Sequence, residues 1–329
     1  MNAKMKVLIA YDGVNPVTRM IKDLQRAGLP ENVEAMVLTA VDAFMPPEVG
    51  YSELSIPESS VTYIETMRKT ASDRIKKELK QAQKTAKQAA GQIKAVFPHW
   101  TVEPEGVVDS PAWAVVKKAG EWKAHLVVVG SHNQRKISKF FLGSVAQKVV
   151  TETTCPVRIV RGEPEETDSP VRIVLGVDGS PDSELAVNAV AERLWKKGSA
   201  AHLVTVVDTR MSTAVAAPDS AAGKWIKKQD RMEQDWIRRM SESFEKKLKA
   251  DGLVVSTLVK GGDPKRLLVE EAEKWGADCI FVGARGLNMI ERFFIGSVSA
   301  AVAARAHCSV EVVRPMSKAE QTNRRKEKR

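Results

Sequence analysis

The sequence predicts an α/β protein made of two tandem, doubly wound domains, each with a five-stranded parallel sheet. Two observations lead to this prediction. Short, continuously apolar runs alternate with longer segments of helical periodicity, which is typical of parallel strands covered by helices on both faces. The same succession of runs then occurs a second time along the 329 residues. A chain of this length is long enough to form two domains that each bury a core of their own.

The duplication is visible in matched residues of the two halves. Asp12-Gly13 closes the first apolar run, and Asp178-Gly179 closes its counterpart 166 positions later. Gly130 is matched by Gly283, 153 positions later. The offset shrinks because the first half has extra length between these landmarks, in a segment rich in proline, glycine and serine. This self-similarity indicates one fold used twice.

Domain boundaries follow from the two copies and from the segment that joins them. We expect the first domain at 1–161 and the second at 171–315. The acidic, proline-bounded segment 162–170 is the expected linker. Residues 316–329 carry six basic against two acidic side chains and are expected to form a basic, disordered tail.

Periodicity places the elements of the second half in order. Five apolar runs predict strands at Val171–Val177, Ala201–Val207, Leu253–Val259, Cys279–Val282 and Val310–Val313. Helical segments are predicted at Ser180–Lys197, Gly223–Ala250, Pro264–Trp275 and from Ser297 onward. The first half repeats this order with an exceptionally long helix at Ser59–Ala95. Core packing is the expected role of the helix-borne tryptophans Trp195, Trp225, Trp236 and Trp275.

The clearest candidate binding site is the glycine-rich loop after the fourth strand of the second half. Gly283 ends the strand, Gly286 follows three residues later, and Gly296-Ser297 begins a helix after nine more residues. A backbone without Cβ atoms can approach an anion closely, and the unpaired N–H groups of a helix N-terminus attract it. Ligands of doubly wound sheets bind beyond the carboxyl ends of the strands where the winding reverses. If strands one and four are neighbours there, Asp178 faces the same crevice.

Two commoner phosphate-binding motifs do not fit. A dinucleotide-binding unit needs G-x-G-x-x-G after its first strand, and a P-loop needs G-x-x-x-x-G-K-[ST]. The first strands here end in Asp12-Gly13 and Asp178-Gly179 without either motif. The glycine loop instead comes after the fourth strand.

The G-x-x-G-(nine)-G-[ST] spacing after strand four, together with an aspartate that closes strand one, resembles the universal stress protein family. The match covers both halves, so the chain resembles a tandem two-domain member. The resemblance implies Rossmann-like domains with flavodoxin-like layering and the strand order 3-2-1-4-5. It also implies a stress-response protein that binds ATP or AMP, with or without Mg²⁺. A soluble, cytoplasmic protein is the default expectation, because the first apolar run stops at Tyr11-Asp12 and suits a β-strand better than a signal peptide.

The resemblance assigns nucleotide contacts in the second half position by position. Asp178 would lie beside the ribose and phosphates, directly or through a Mg²⁺ ion. Arg285 would contact phosphate or ribose, or else face solvent. The other expected contacts are Val206, Val207, Gly283, Gly286, Gly296, Ser297, Val298 and Ser299. Each of these residues also has an ordinary structural explanation, such as a turn glycine, a helix N-cap or an Asx turn.

The first half has weaker candidates, because its motif is incomplete. They are Asp12, Val41, Gly130, His132, Asn133, Gly143, Ser144 and Val145. Asn133 replaces the second glycine, and Ala146 replaces the hydroxyl residue Ser299. Asparagine tolerates a left-handed backbone, but its side chain occupies room that a ribose needs. We therefore expect the first site to be weaker than the second, or empty.

The sequence does not decide whether the protein is an enzyme, and it favours no particular reaction. No general base is evident beyond the two strand-one aspartates, and no arginine-finger arrangement is evident. We expect the output to be conformational or mediated by a partner. The alternatives are a scaffold that binds no nucleotide, a slow ATPase that could autophosphorylate at Ser297, and an ATP-pyrophosphatase or adenylylating enzyme.

Composition restricts the remaining function classes. The net charge of +10 is partly local to the tail, and no aromatic residues are interleaved with the basic ones there, so nucleic-acid binding is not favoured. No run of about 18 apolar residues occurs, so no membrane span is predicted. Cys155, Cys279 and Cys308 form no C-x-x-C pair and are expected to be buried structural thiols.

Two further expectations concern how the halves meet. The resemblance implies that strand five is the pairing edge, and Val157–Val160 and Val310–Val313 are short and apolar enough to meet edge to edge within the chain, which would make an intramolecular pseudo-dimer. A further homodimer remains open. The segment Phe44–Ser59 could close over the first site as a lid or could form a surface loop.

Overall fold

The structure is a computed structural model that describes residues 4–42, 58–131, 142–162, 167–207, 221–286 and 295–315. The predicted lid and the basic tail lie outside the described residues, apart from the last two lid positions, which begin a helix. The first half contains β1 (Met5–Ala10), α1 (Val17–Gln25), β2 (Val33–Val41), α2 (Glu58–Val96), β3 (Thr101–Val108), α3 (Pro111–Glu121), β4 (Leu126–Gly130), α4 (Ser144–Glu152) and β5 (Val157–Val160). The second half contains β6 (Arg172–Gly176), α5 (Pro181–Ala191), β7 (Ala200–Val207), α6 (Ala221–Ala250), β8 (Val254–Gly261), α7 (Pro264–Trp275), β9 (Cys279–Gly283), α8 (Ser297–Arg305) and β10 (Ser309–Val313).

All ten strands form one sheet, in the order β3-β2-β1-β4-β5-β10-β9-β6-β7-β8. Within each half the strands are parallel, and each half has the order 3-2-1-4-5 when its own strands are counted. The predicted fold class is therefore confirmed. Continuous apolar strands form because helices cover both faces of the sheet and leave no polar face.

The two halves join at a seam where β5 and β10 pair antiparallel, as the sequence predicted. Arg158 lies opposite Glu311, with Ile159 opposite Val310 and Val157 opposite Val312. On one face of the sheet, a single hydrophobic core runs across this seam from the first half into the second. On the other face, each half has a separate core.

Four buried side chains with charges of alternating sign lie in a row across the seam. Arg158 is 1% exposed and binds Asp23 of α1 through two hydrogen bonds, Nε to Oδ2 at 2.6 Å and Nη2 to Oδ1 at 2.9 Å. Its Nη1 atom lies 3.4 Å from Glu311 Oε2, and Arg193 binds the other oxygen of Glu311. Burial works to lower the pKa of Arg158, but the two carboxylates more than offset it and raise that pKa. The four residues thus satisfy charges that water does not reach.

Two arginines at equivalent positions tie each half to a helix of the other. Arg161 follows β5 and donates from Nη1 to the carbonyl oxygens of Ala304 and Ala306, at 3.0 and 2.6 Å, at the end of α8. Arg314 follows β10 and donates to the carbonyl oxygens of Thr153 and Val150 at the end of α4. A cation at a helix C-terminus satisfies unpaired carbonyl groups and complements the helix dipole.

Helix α5 ends at Ala191, six residues before the predicted end at Lys197. The chain turns there because its next residues bind the first half. Leu194 N donates to Gly28 O at 2.9 Å, and Arg193 Nη1 donates to Ala27 O at 2.8 Å. Contacts made by the tertiary fold thus override a helical periodicity that the sequence does show.

The cysteines are buried free thiols, as predicted for Cys155, Cys279 and Cys308. Burial raises the pKa of the Cys279 thiol to about 12 and raises that of Cys308 as well. Thiols in this state are poor nucleophiles. Across the described ranges, no helix is both long enough and apolar enough to cross a membrane.

Replacing Arg158 tests how much the seam depends on the buried charges. We expect Arg158→Met to lower the free energy of unfolding by about 3–5 kcal/mol, because it leaves Asp23 and Glu311 buried without their shared cation. Urea denaturation followed by circular dichroism would measure the loss. The matched control is Arg238→Met on α6, where the arginine is 63% exposed and pairs with the exposed Asp235. Its loss should be much smaller than that of Arg158→Met, because solvent screens an exposed ion pair, and equal losses in the two variants would contradict the prediction.

Candidate functional site

The candidate site lies where β6 and β9 end side by side. These strands are parallel neighbours, with Gly176 in register with Val282. Asp178 and Gly179 follow β6 after one intervening residue, and Gly283 is the last residue of β9. The neighbouring strands one and four therefore open a crevice at their carboxyl ends, the position where doubly wound sheets bind ligands.

Asp178 faces the glycine loop across this crevice. Its Oδ1 atom accepts a hydrogen bond of 3.0 Å from Ser180 N, which fixes the carboxylate by an Asx turn. A Cβ atom on Gly286 would lie 2.9 Å from Asp178 Oδ2. The loop backbone at Gly286 therefore passes close to the carboxylate, and the structure brings these two predicted residues together.

Arg285 is held by a buried partner that the sequence did not reveal. Its Nε and Nη2 atoms donate to the two carboxylate oxygens of Asp182, both at 2.9 Å, and its backbone N–H donates to Oδ2 at 3.2 Å. These hydrogen bonds raise the pKa of Arg285. Ser180 Oγ donates to Arg285 O at 3.2 Å. The guanidinium therefore points neither to solvent nor freely into the crevice, and it anchors the loop to the start of α5.

The N-terminus of α8 supplies backbone donors at the far end of the loop. Gly296 is the N-cap, and no side chain caps the helix by a hydrogen bond. Ser297 is exposed at the first helical position, and Val298 is half-buried. Ser299 is buried, and its hydroxyl donates to Gly283 O at 2.5 Å. The Ser299 hydroxyl is thus committed to joining α8 to β9, which differs from the expected contact with a phosphate.

Gly283 is required by packing as well as by any ligand. A Cβ atom there would lie 2.5 Å from the carbonyl carbon of Asp182 and 2.7 Å from Ser183 N. The end of β9 therefore lies directly against the first turn of α5. This close approach brings the glycine loop and the strand-one aspartate into one crevice.

The side chains near the crevice include two valines in their predicted position and one tryptophan that the sequence placed in the core. Val206 and Val207 are half-buried at the end of β7, in the predicted position. Trp236 was expected in the core but is 45% exposed. Its ring lies over Gly179, where a Cβ atom would be 2.1 Å from the ring, and Met240 lies beside it. Helical spacing alone cannot show this, because it does not reveal which part of a long helix packs on the core.

The crevice of the first half lacks the corresponding anchor. Val14 and Pro16 occupy the positions of Ser180 and Asp182, and the Asp12 carboxylate accepts a hydrogen bond of 2.9 Å from Val14 N. Among the residues that the structure describes, no atom lies within 4 Å of a Cβ built on Gly130, so this glycine packs more loosely against them than Gly283 does. Pro16 has no carboxylate, so the first half has no counterpart of the ion pair between Asp182 and Arg285 at that position.

The other first-half candidates are placed as follows. Gly143 is the N-cap of α4, again without a side-chain cap, and Ser144 and Val145 are exposed. Ala146 is buried and cannot make the hydrogen bond that Ser299 makes. Val41 lines a cavity of about 860 Å³ whose other lining residues are charged or polar side chains of α2. His132 and Asn133 lie outside the described residues.

Within the described ranges, no group of three or more histidine, cysteine, aspartate or glutamate side chains is arranged to hold a metal ion. Asp178 is thus a single carboxylate, and any cation there would need ligands from a bound molecule. The five histidines include His202, which is stacked on Trp275 with ring centroids 5.0 Å apart, and burial lowers its pKa. That histidine lies away from the crevice and has a packing role.

Comparison with known proteins gives a consistent result. A model of the universal stress protein family matches residues 5–161 and 171–314. A protein of Staphylococcus haemolyticus, named as a universal stress protein, is 30% identical over 139 residues, which is 42% of this chain and 81% of that protein.

Solved structures agree over the whole length. A universal stress protein from Archaeoglobus fulgidus superimposes with a TM-score of 0.60 at 19% identity and covers 94% of this chain and 98% of that one. A structure from Pseudomonas aeruginosa described as a universal stress protein has a TM-score of 0.61 at 12% identity and covers 99% of each chain. At these identities the likeness supports the fold alone.

The two strand-ending glycines provide a matched test of the packing at the sites. We expect Gly283→Ala to lower the free energy of unfolding by about 1–3 kcal/mol, because the new methyl group would meet the backbone of α5. Gly130→Ala should cause no loss, or a gain of up to about 1 kcal/mol, because its surroundings are open. Thermal or urea unfolding of both variants would decide, and a larger loss for Gly130→Ala would show that the contrast is wrong.

Proposed function

The chain belongs to the universal stress protein family, and from that premise we propose that it binds an adenine nucleotide, ATP or AMP, chiefly in the crevice of its second half. The single observation that supports this most is the fixed geometry of that crevice. Asp178, Gly286 and the N-terminus of α8 are gathered at the ends of two neighbouring strands. Asp182 and Arg285 hold the loop between them.

The phosphates would lie at the N-terminus of α8. The N-cap is Gly296, which has no side chain to bind the first N–H groups of the helix, and the helix dipole favours negative charge there. Ser297 can add its exposed hydroxyl. Val298 and Ser299 would contribute backbone N–H groups, since the Ser299 hydroxyl is already bound to Gly283 O.

The ribose would lie between Asp178 and the loop. A carboxylate oxygen accepts hydrogen bonds from sugar hydroxyl groups, and the missing side chain of Gly286 leaves the loop backbone exposed on that side. Val206 and Val207 would line the adenine pocket. If Mg²⁺ accompanies the nucleotide, Asp178 can serve as one ligand and the phosphates as the others.

The first half is proposed to bind nucleotide more weakly or not at all. Its crevice lacks the pair that Asp182 and Arg285 form, and the residues beside Val41 are polar or charged. Pro16 offers no carboxylate that could fix the residue after strand four before a ligand binds, and ordering a loop on binding reduces affinity.

Nucleotide binding without an assigned reaction makes a conformational or partner-mediated output the best-supported action in a stress response. The cytoplasm remains the proposed location, on the sequence argument. We also propose that the joined halves act as a pseudo-dimer, because β5 and β10 bury one another's edges.

A stoichiometry measurement tests the two-site proposal. We expect isothermal titration of the full chain with ATP and AMP to give about one strong site per chain. Asp178→Asn should weaken that site by about tenfold or more, because an amide keeps the turn with Ser180 but loses the charge. The matched variant Asp12→Asn should leave it nearly unchanged.

Two results would contradict this proposal. One is two sites of equal affinity, and the other is equal losses in the two aspartate variants. Native mass spectrometry of the purified protein adds a direct check for a nucleotide carried through purification. Complete absence of binding would favour the scaffold alternative. ATP turnover that disappears in Asp178→Asn would favour the slow ATPase.

A further inference from the structure

Strands β5 and β10 are related by a local two-fold symmetry at the seam, but the residues at their central positions differ. Residues 157–159 of β5 correspond to residues 310–312 of β10 at the constant offset of the duplication. In the structure Ile159 pairs with Val310 and Val157 pairs with Val312, so the exchange of partners is reciprocal. The pair at the centre is Arg158 and Glu311. The central position is therefore occupied by a cation in one half and by an anion in the other.

A pairing between two identical strands would place equal charges at this centre. In an isologous interface, a residue on the two-fold axis meets its own copy. Two first halves joined through β5 would set Arg158 against Arg158. Two second halves joined through β10 would set Glu311 against Glu311. We call these pairings of two equal halves like pairs, and a pairing of a first half with a second half an unlike pair. Only the unlike pair places opposite charges at the centre.

The flanking charges extend this asymmetry. Asp23 belongs to the same half as Arg158, and Arg193 belongs to the same half as Glu311. Across the unlike seam the charges therefore alternate as minus, plus, minus, plus. A like seam would instead bring two charges of the same sign together in the middle. Both central side chains are 1% exposed, so water screens neither arrangement.

Other contacts across the seam are also specific to unlike halves. Ser309 Oγ donates to Asp23 Oδ1 at 2.6 Å, and the first-half residue that corresponds to Ser309 is Pro156, which has no donor. Arg26 of the first half binds Asp278 of the second at 2.8 Å. The second-half residue that corresponds to Arg26 is Glu192. A pairing of two second halves would lose the cation that Arg26 supplies to Asp278.

One pair of seam contacts does not discriminate. Arg161 and Arg314 correspond to each other, and each binds the C-terminal carbonyl groups of a helix in the opposite half. The same contact is available in like and unlike pairings. These two arginines therefore favour association of any two halves, whereas the centre decides which halves associate.

We propose that the Arg158–Glu311 centre is the specificity determinant of the seam. It selects pairing between a first and a second half and excludes pairing of this edge with the same edge of another copy. The partner that fits strand β5 is thus a β10 edge with a buried carboxylate at its centre. The inference rests on the geometry of the seam and holds whether or not nucleotide binds.

The test uses the full chain, folded and then cut in its linker. Residues 163–166 are replaced by a protease site, and isotopically light and heavy preparations are cleaved, mixed and passed through mild urea so that halves exchange. Native mass spectrometry then counts like and unlike pairs. For the wild-type seam we expect like pairs to be on the order of a hundredfold rarer than unlike pairs.

Variants separate specificity from affinity. Arg158→Met together with Glu311→Met neutralises the centre and should raise the share of like pairs at least tenfold. Arg161→Met together with Arg314→Met is the matched control, and it should weaken all pairs while leaving the ratio of like to unlike pairs unchanged. If the methionine centre does not fold, as judged by circular dichroism, Arg158→Gln with Glu311→Gln replaces it.

The outcomes decide the proposal in either direction. Like pairs at their statistical share in the wild-type seam would overturn it without reference to any variant. A neutralised, folded centre that still forms only unlike pairs would overturn it too, and would assign specificity to the remaining contacts. The proposal is supported if the share of like pairs rises in the variant with a neutral centre but not in the control with Arg161→Met and Arg314→Met.

Discussion

The architecture depends on a row of four buried charges at the seam between the two halves. Asp23 pairs with Arg158 inside the first half, Arg193 pairs with Glu311 inside the second, and the contact between Arg158 and Glu311 joins the two pairs across the seam. Taking a charge out of water is costly, and each buried charge here has an opposite charge beside it. The continuous sheet, the core that runs across it and the arginines that bind the opposite helices all require the same placement. The seam is thus a part of the fold that neither half completes alone.

The two crevices show how one backbone plan can be refined differently in its two copies. Both place an aspartate after strand one and a glycine at the end of strand four. In the second half, buried hydrogen bonds from Asp182 and Ser299 fix the loop at both ends. The first half has neither, because Pro16 and Ala146 occupy those positions. Loss of side chains that hold a loop can therefore weaken a site even where the residues facing a ligand are retained.

Sequence reasoning succeeded where local pattern decides the structure. Apolar runs located the strands, and the duplicated landmarks located both crevices. The strand order came from the family resemblance, since periodicity does not specify which strands are neighbours. The misses have a common physical cause. The end of α5, the exposure of Trp236 and the partner of Arg285 are all set by contacts between distant residues. An acidic residue such as Asp182 in the first turn of a helix is already explained by the helix dipole, so nothing in the sequence marks it as an anchor.

The antiparallel pairing of β5 with β10 sets the direction in which each half faces. Strands within a half are parallel, so their carboxyl ends share one edge of the sheet. Because the seam reverses the strand direction, the crevice beside Asp12 and the crevice beside Asp178 open toward opposite ends of the molecule. The seam strands β5 and β10 lie between the two crevices in the order of the sheet. Each candidate site is therefore built from strand ends of its own half, and the two halves present these ends in opposite strand directions.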